Sequence, residues 1–350
     1  MRPAQPKSIL LVRLSAIGDV IMASSLVPAL TEAYPGVRLS WLTGESNFPL
    51  LQHNPRLAQL IPWPTQIAQK ALREKRYGVY AREFWKTVRR VRRESFDWII
   101  DVQGLLKSGI WARLGRAQWR IGLGSREGSQ HFMNQVVSRH SDRDVIGIEH
   151  RLLLEALGHP MTSFRMDVVV PDTARTEAQS LLGAAGVRGR YAVLAPFTTR
   201  PQKHWFNDRW TQLGARLAQE LQLAPVILGG PADRDSAASI CGGVQGMVHL
   251  AGKTSLLQAA AVMQQSDLVV GVDTGLAHLG IALRRPTLGL FGSTCPYRNP
   301  DFEKARVLYE PMACSPCRRR PTCNGEFTCM RAHTVERVFD AARGLLGGVV

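Results

Sequence analysis

Asp273, Thr274, Gly275 and His278 have the spacing of an anion seat. The apolar, β-branched run 268–272 ahead of them reads as a buried parallel strand, and a helix-like apolar run follows to Leu283. A turn of this composition leaves backbone N–H groups unpaired at a helix N-terminus, where the helix dipole favours negative charge. His278 follows Thr274 by four residues and so shares the helical face of the turn. Asp273 and Thr274 are also ordinary N-cap residues, and the stretch reads equally well as a capped helix that binds nothing.

Two other loops offer matching chemistry. Thr198-Thr199-Arg200-Pro201-Gln202-Lys203-His204 supplies two hydroxyls, an arginine and a lysine, which suits a phosphate or diphosphate. Gly229-Gly230-Pro231-Ala232-Asp233 lets a ligand approach the backbone, with Asp233 placed to bond a ribose. Gly-Gly-Pro is first of all a turn. It is the convergence of three such loops on one sheet edge that fits a nucleotide. In the first half, Ser15-Ala16-Ile17-Gly18-Asp19 and Asp101-Val102-Gln103-Gly104 each place polar groups just past an apolar strand. That edge is where open α/β sheets bind ligands.

The elements needed to position these loops alternate regularly. Strands are expected at 8–14, 37–43 and 97–102, then at 191–195, 225–228, 247–250, 268–272 and 287–291. Helices are expected at 173–182, 206–222, 233–241, 255–265 and 275–283. Pro28 should kink the first helix or mark its boundary. Strand–helix alternation with short loops implies parallel sheets covered on both faces. At 350 residues the chain is expected to form two such domains. The first spans 1–175, the second 185–332, and 333–350 is a C-terminal helix, with the linker between about 171 and 190. Residues 115–145 are rich in Gly, Arg, Ser and His and read as long loops.

An apolar fraction of 45% fits a globular protein, and no apolar run approaches the roughly 18–20 residues that cross a bilayer. The opening residues lead straight into a strand, without a secretory apolar core, so a cytoplasmic location is expected. The net charge of +16 implies an anionic partner. Between Lys70 and Glu94 there are ten Lys or Arg against three Asp or Glu, interleaved with Tyr77, Tyr80, Phe84 and Trp85. This is the pattern of a basic amphipathic helix on acidic lipid, or of a solvated helix face.

At 15–19, 101–108, 198–205 and 271–279 the chain closely resembles glycosyltransferase family 9, the lipopolysaccharide heptosyltransferases, over nearly its whole length. The second and third stretches look most like the type I branch, which adds the first heptose of the inner core; a type II-like enzyme adding a later heptose is the alternative. The resemblance implies a GT-B fold, with two Rossmann-like domains around a cleft. It implies ADP-heptose as donor, inversion at the anomeric carbon, and no cofactor or metal for the chemistry. Carried over residue by residue, Asp19 is the general base. Thr198, Thr199 and Lys203 hold the diphosphate, helped by Thr274, Gly275 and His278. Asp273 contacts the sugar, Asp233 the ribose and Thr254 the adenine, while Ser15, Gly18, Asp101, Gln103 and Lys107 face the acceptor. Without the resemblance, Asp19 reads as a helix cap. The implied partners are ADP-heptose, a lipid A–Kdo acceptor and the anionic cytoplasmic face of the inner membrane. A monomer is expected, and no nucleic acid.

Four of the six cysteines, Cys314, Cys317, Cys323 and Cys329, fall within sixteen residues. In a reducing compartment a structural zinc held by four thiolates fits that ligand count; an iron–sulfur cluster or free thiols stay open. Arg318, Arg319 and Arg320 inside the cluster would balance a negative zinc–thiolate centre. Related clusters occur in some type II-like members. Two other classes compete with the transferase reading. A nicotinamide-dependent enzyme would need Gly-x-Gly-x-x-Gly after the first strand, which is absent. A zinc-bearing nucleic-acid binder fits the charge and the cysteines but leaves the strand-end hydroxyl and lysine loops unexplained.

Overall fold

The computed structural model describes residues 5–125, 127–139, 144–317 and 320–347. The chain divides into two compact units: Met1–Asp142 with Gly147–Val169, and Arg143–Ile146 with Val170–Val350.

In the first unit the described strands are β1 (Ser8–Val12), β2 (Arg38–Gly44), β3 (Leu57–Trp63), β4 (Ser95–Asp101), β5 (Arg116–Leu123) and β6 (Gln135–Val137). They form one sheet in the order β3-β2-β1-β4-β5-β6, and every neighbouring pair is parallel. The helices are α1 (Ile17–Ala23), α2 (Leu26–Ala33), α3 (Phe48–Leu51), α4 (Thr65–Arg73), α5 (Tyr77–Val91), α6 (Leu106–Leu114) and α7 (Ile148–Ala156). Alternation along β1 shows why both faces are covered. Ile9 and Leu11 join one buried cluster with Val20, Val27 and Leu153. Leu10 and Val12 join another with Val88, Trp111 and Ala112. Pro28 sits in the first turn of α2, where its missing N–H has no intrahelical partner, and the helix boundary falls just before it at Ser24–Ser25.

The second unit contains β7 (Tyr191–Ala195), β8 (Ala224–Ile227), β9 (Val248–His249), β10 (Leu268–Val272), β11 (Thr287–Phe291) and β12 (Ala305–Tyr309), in the order β12-β11-β10-β7-β8-β9. These pairs are parallel as well. Its helices are α8 (Asp172–Ala184), α9 (Asn207–Leu221), α10 (Arg234–Cys241), α11 (Leu256–Gln265), α12 (Gly275–Ala282), α13 (Thr328–Arg331) and α14 (Val335–Leu345). In both sheets the first strand lies in the middle and the chain winds outward first to one side and then to the other. Each unit is thus a doubly wound sheet with a switch point beside its first strand.

Three expectations need correction. Residues 115–145 are not all loop, because β5 and β6 lie there. Arg116, Gln118 and Arg120 alternate with Ala117, Trp119 and Ile121, so arginines on one face hide a strand. The boundary expected within 171–190 lies inside the second unit, since α8 packs on α11. The C-terminal helix is part of that unit too. Val335, Val338, Phe339, Ala341 and Ala342 of α14 enter the same buried cluster as Leu194, Val270 and Leu290. The segment ahead of residue 147 also belongs there, through Ile146 N–H donating to the Asn299 carbonyl at 2.9 Å.

Candidate active site

In the first unit, the loops after β1 and β4 meet at the switch point. Gln103 is 5% exposed and accepts from Leu14 N–H at 2.9 Å, while its Nε2 lies 3.4 Å from Ser15 Oγ. Arg13 donates to the Val102 carbonyl at 2.8 Å and pairs with Asp19 at 2.5 Å. Asp19 stands in the first turn of α1, accepts from Ala16 N–H at 3.2 Å and leaves 43% of its side chain exposed. It shapes the helix start from the third helical position, the N-cap itself being Ala16 rather than Asp19 as the capping reading expects, and it still presents a carboxylate to solvent.

Asp101 is wholly buried. It accepts from the N–H groups of Gln103 (2.9 Å) and Gly104 (3.1 Å) and from Ser108 Oγ (2.9 Å). Burial pushes its pKa up, and those hydrogen bonds and Arg13 only partly oppose this. Its carboxylate is occupied in folding the loop. Gly104 has a φ of +64°, and an added Cβ would lie 2.6 Å from Arg139 Nη2, so the turn needs glycine. Lys107 is exposed on α6. Gly18 is buried in α1. His150, in contact with Ser25 Oγ at 3.3 Å, is pushed down to about 3 by burial and by Arg13, against the opposing pull of Asp19. Arg13, Arg139 and His150 were not singled out from the sequence. Arg13 alone had a signal, as the one charge in an otherwise apolar run.

In the second unit, the loop after β7 meets the loop after β10, again at the switch point. Lys203 Nζ donates to Asp273 Oδ2 at 2.7 Å and to the Asp273 carbonyl at 3.1 Å. Thr294 Oγ1 also donates to Oδ2. His278 Nε2 lies 3.5 Å from Oδ1, and its Nδ1 lies 2.7 Å from the hydroxyl of fully buried Tyr297. Burial alone would raise Asp273, but the bonds and charges of His278 and Lys203 outweigh it and hold the group at about 2. Burial keeps the Tyr297 hydroxyl protonated, far above its ordinary range. Sequence reasoning found Lys203, Asp273 and His278 but missed Thr294 and Tyr297, which lie in an irregular loop without periodicity.

Thr274 is the N-cap residue of α12, yet its side chain makes no cap hydrogen bond, and its buried Oγ1 has no hydrogen-bond partner among the described residues. Buried hydroxyls are normally paired, so this one is an acceptor or donor in wait. The N–H groups of the first turn, from Gly275 on, also lack intrahelical acceptors. A hydroxyl and a row of N–H groups thus lie at a helix N-terminus directly after Asp273, which holds a lysine and a histidine, and this is chemistry for a phosphate.

The remaining loops lie along the same carboxyl edge. Asp233 accepts from Gly230 N–H at 2.7 Å. The loops after β8 and β9 are tied by Gly252 N–H donating to the Gly229 carbonyl (2.9 Å) and by Arg234 Nη2 donating to the Gly252 carbonyl (2.8 Å). Gly252 has a φ of +66° and no room for a side chain beside Pro231. Thr254 follows that turn, half-buried, and Thr199 is exposed. The Thr198 hydroxyl accepts weakly from Arg200 N–H at 3.4 Å, and its carbonyl is 2.8 Å from His204 Nε2.

The zinc expectation does not fit. Among the described residues no group of three or more His, Cys, Asp or Glu is arranged to hold a metal ion, and Cys314, Cys317, Cys323 and Cys329 form no ligand set. Cys329 is committed to the apolar core beside Met330. Burial and the neighbouring cysteines push Cys317 and Cys329 upward. Arg318 and Arg319 lie outside the described residues, and Arg320 is exposed.

The profile of glycosyltransferase family 9 (heptosyltransferase) matches residues 84–327. The lipopolysaccharide heptosyltransferase 1 of Pseudomonas aeruginosa is 29% identical, over 96% of this chain and 91% of its own. That of Escherichia coli K12 is 27% identical, over 82% and 88%. Among solved structures, a family 9 glycosyltransferase of Veillonella parvula superposes with a TM-score of 0.84 at 20% identity, covering 97% of both chains. The E. coli heptosyltransferase WaaC with ADP-2-deoxy-2-fluoro heptose superposes with a TM-score of 0.72 at 25% identity, covering 95% of this chain and 98% of the other.

Proposed function

The chain belongs to glycosyltransferase family 9, the heptosyltransferases, and from that membership we propose that it moves a heptose from ADP-heptose to the Kdo end of the lipopolysaccharide inner core, with inversion. The donor is the one whose fluorinated analogue accompanies the E. coli relative. The observation that carries the reading is the Thr274 hydroxyl, unpaired among the described residues, next to the Lys203–Asp273–His278 cluster.

In this mechanism Asp233 holds the ribose and the turn at Thr254 meets the adenine. Thr198, Thr199, Lys203, Thr274, Gly275 and His278 receive the diphosphate. Asp273 aims Lys203 and His278 and contacts the sugar. Asp19, held by Arg13, takes the proton of the acceptor hydroxyl as that oxygen attacks the anomeric carbon. The bond from that carbon to the diphosphate oxygen breaks, and the new charge is taken up by Lys203 and the N-terminus of α12. One displacement inverts the centre. Ser15, Gly18 and Lys107 face the acceptor, while Asp101 and Gln103 act by shaping the loops that carry Ser15 and Gly104.

The acceptor is acidic and lies at a membrane. No described helix is long and apolar enough to cross one. The stretch Lys70–Arg93 on α4 and α5 is the proposed contact with that surface, since it exposes Leu72, Tyr77 and Trp85 beside its cations. Neutralising Arg89, Arg90, Arg92 and Arg93 should weaken binding to anionic vesicles, and the loss should shrink at high salt. The deciding experiment for the activity incubates the protein with ADP-heptose and a panel of truncated core acceptors, read by mass spectrometry. One heptose added to the Kdo-terminated acceptor is the expected result. Addition only to an acceptor that already carries heptose would assign the type II-like reaction, and no addition to any member would overturn the reading.

A further inference from the structure

The opposite, amino edge of the first sheet holds a cavity of about 550 Å³ that the transfer reaction does not use. It is lined by Arg92 after α5, Arg113 near the end of α6, and Arg116 and Arg120 of β5, with Phe96 and Asp97 of β4 between them. Asp101, at the carboxyl end of β4, is four residues from Asp97, so the cavity lies roughly 13 Å or more from the loops of the candidate active site.

The charges here are not balanced. Asp97, the one carboxylate in the lining, is already occupied: its oxygens accept from Lys7 N–H (2.7 Å), Ser8 N–H (3.0 Å) and Gln118 Nε2 (3.1 Å). Cations at the ends of helices can answer the helix dipole, and Arg120 does so, donating to the carbonyls of Ala112 (2.9 Å) and Gly115 (3.0 Å). That explains one arginine. Arg92, Arg113 and Arg116 make no hydrogen bond or ion pair through their side chains among the described residues, and they surround the cavity together. Burial and the charge of Arg113 both push Arg120 down, so the like charges already repel one another.

Two rows that begin with exposed apolar side chains lead to this cluster. On α5, exposed Trp85 is followed by Arg89 and Arg92 at spacings of four and three. On α6, exposed Leu106 and Ile110 are followed by Arg113 at the same spacings. Each row runs roughly 10 Å from an apolar residue to an arginine of the cavity. Both helices run the same way, because each ends where a neighbouring parallel strand begins.

We propose that Arg92, Arg113, Arg116 and Arg120 form a second anion site, which takes the phosphodiester headgroup of an anionic phospholipid while Trp85, Leu106 and Ile110 rest against its glycerol and acyl region. Guanidinium groups match phosphate oxygens in pairs, and the exposed Trp85, Leu106 and Ile110 select a phosphate that comes attached to a lipid. The inference rests on the membrane-surface part of the function above and is independent of the transfer chemistry.

The test uses the full chain and two kinds of vesicle of equal surface charge, one anionic through phosphatidylglycerol, the other through oleate. The native protein should bind the first about tenfold more tightly, the difference expected of one or two charge-assisted bonds. The double variant Arg113→Gln with Arg116→Gln should bring that ratio close to one. Both residues are exposed and outside 70–93, so ADP affinity and general attraction to anionic vesicles should persist. A native ratio near one, or a ratio unchanged in the double variant, would overturn the site. Calorimetry with soluble glycerol 1-phosphate separates the sources: binding of that compound by a protein that shows no vesicle preference would assign a free phosphate ester instead and sink the lipid reading. Failure of transfer with a soluble acceptor would count against the enzymatic reading alone.

Discussion

Lys203→Met removes the one lysine beside Asp273 while keeping the bulk of the side chain. Asp273 sits at about 2 against an ordinary 3.8 although burial opposes this, which amounts to about 2 kcal/mol in favour of the carboxylate. Lys203 supplies part of that through a 2.7 Å contact in which both side chains are largely buried. His278 and Thr294 remain in the variant, so the loss is that of one charged hydrogen bond, about 1.5–3 kcal/mol. In the proposed function the same ammonium donates a further hydrogen bond to the diphosphate, so ADP affinity should fall about tenfold to a hundredfold. AMP, which lacks the second phosphate, should lose less. The pH dependence has a definite sign. A carboxyl with a depressed pKa contributes stability that is present above about pH 4 and is lost as pH falls toward 2. Without Lys203 the pKa rises, and acid unfolding should begin at a higher pH. Calorimetry with ADP and AMP near neutral pH, beside acid unfolding followed by circular dichroism, reads both effects. ADP affinity within about threefold of native, in a variant that still unfolds cooperatively, would refute the placement of the diphosphate at Lys203, since a charged bond lost there is worth more.

Asp19→Asn should lower turnover by about 10² or more with ADP affinity intact, as expected for loss of a general base; near-native turnover in steady-state assays rules the role out. Thr274→Val removes a buried hydroxyl with no partner at almost constant shape, so the melting temperature should hold or rise while ADP affinity falls several-fold; a drop in stability with unchanged ADP affinity would make Thr274 a structural cap. His150, held neutral down to about 3, opposes folding in acid: its contribution is complete above its unfolded pKa near 6.5 and is lost by about 1.4 kcal/mol per pH unit between there and 3. His150→Gln should flatten the stability–pH curve over that window, and an unchanged slope in denaturant titrations would assign the acid sensitivity elsewhere.

The carboxyl-edge chemistry was legible because its residues follow unambiguous strands. Leu268–Val272 is wholly buried, so its apolar run had one reading, and Asp273 had to fall at its end. Lys203 was visible as a cation among turn residues, though not its bond to Asp273, which spans seventy positions. Thr294 and Tyr297 were invisible because nothing periodic leads to them; only the fold of β11 brings them back to β10. β5 failed for a different reason. Its arginines serve the amino edge, and a strand that carries charges on one face does not look like one. β3 and β12 are edge strands, where pairing on one side tolerates Pro62 in the first and exposed Arg306 in the second, and these interrupt the pattern. The cysteines show the limit of counting ligands: spacing gave four thiols, but Cys329 had a better use in the core.

The placement of α14 sets an order of events during synthesis. All segments of the first unit have been made once residue 169 is added, whereas the second cannot close its core until Phe339 and its neighbours arrive. At ordinary elongation rates that interval is roughly 10 to 35 seconds. For that time the nascent chain carries a finished basic unit beside a half-built sheet whose apolar strands, Leu268–Val272 and Thr287–Phe291, still lack the cover of α14. The newborn protein is therefore most exposed to wrong pairing just before α14 arrives, and a lesion in that helix falls on the core of the second unit.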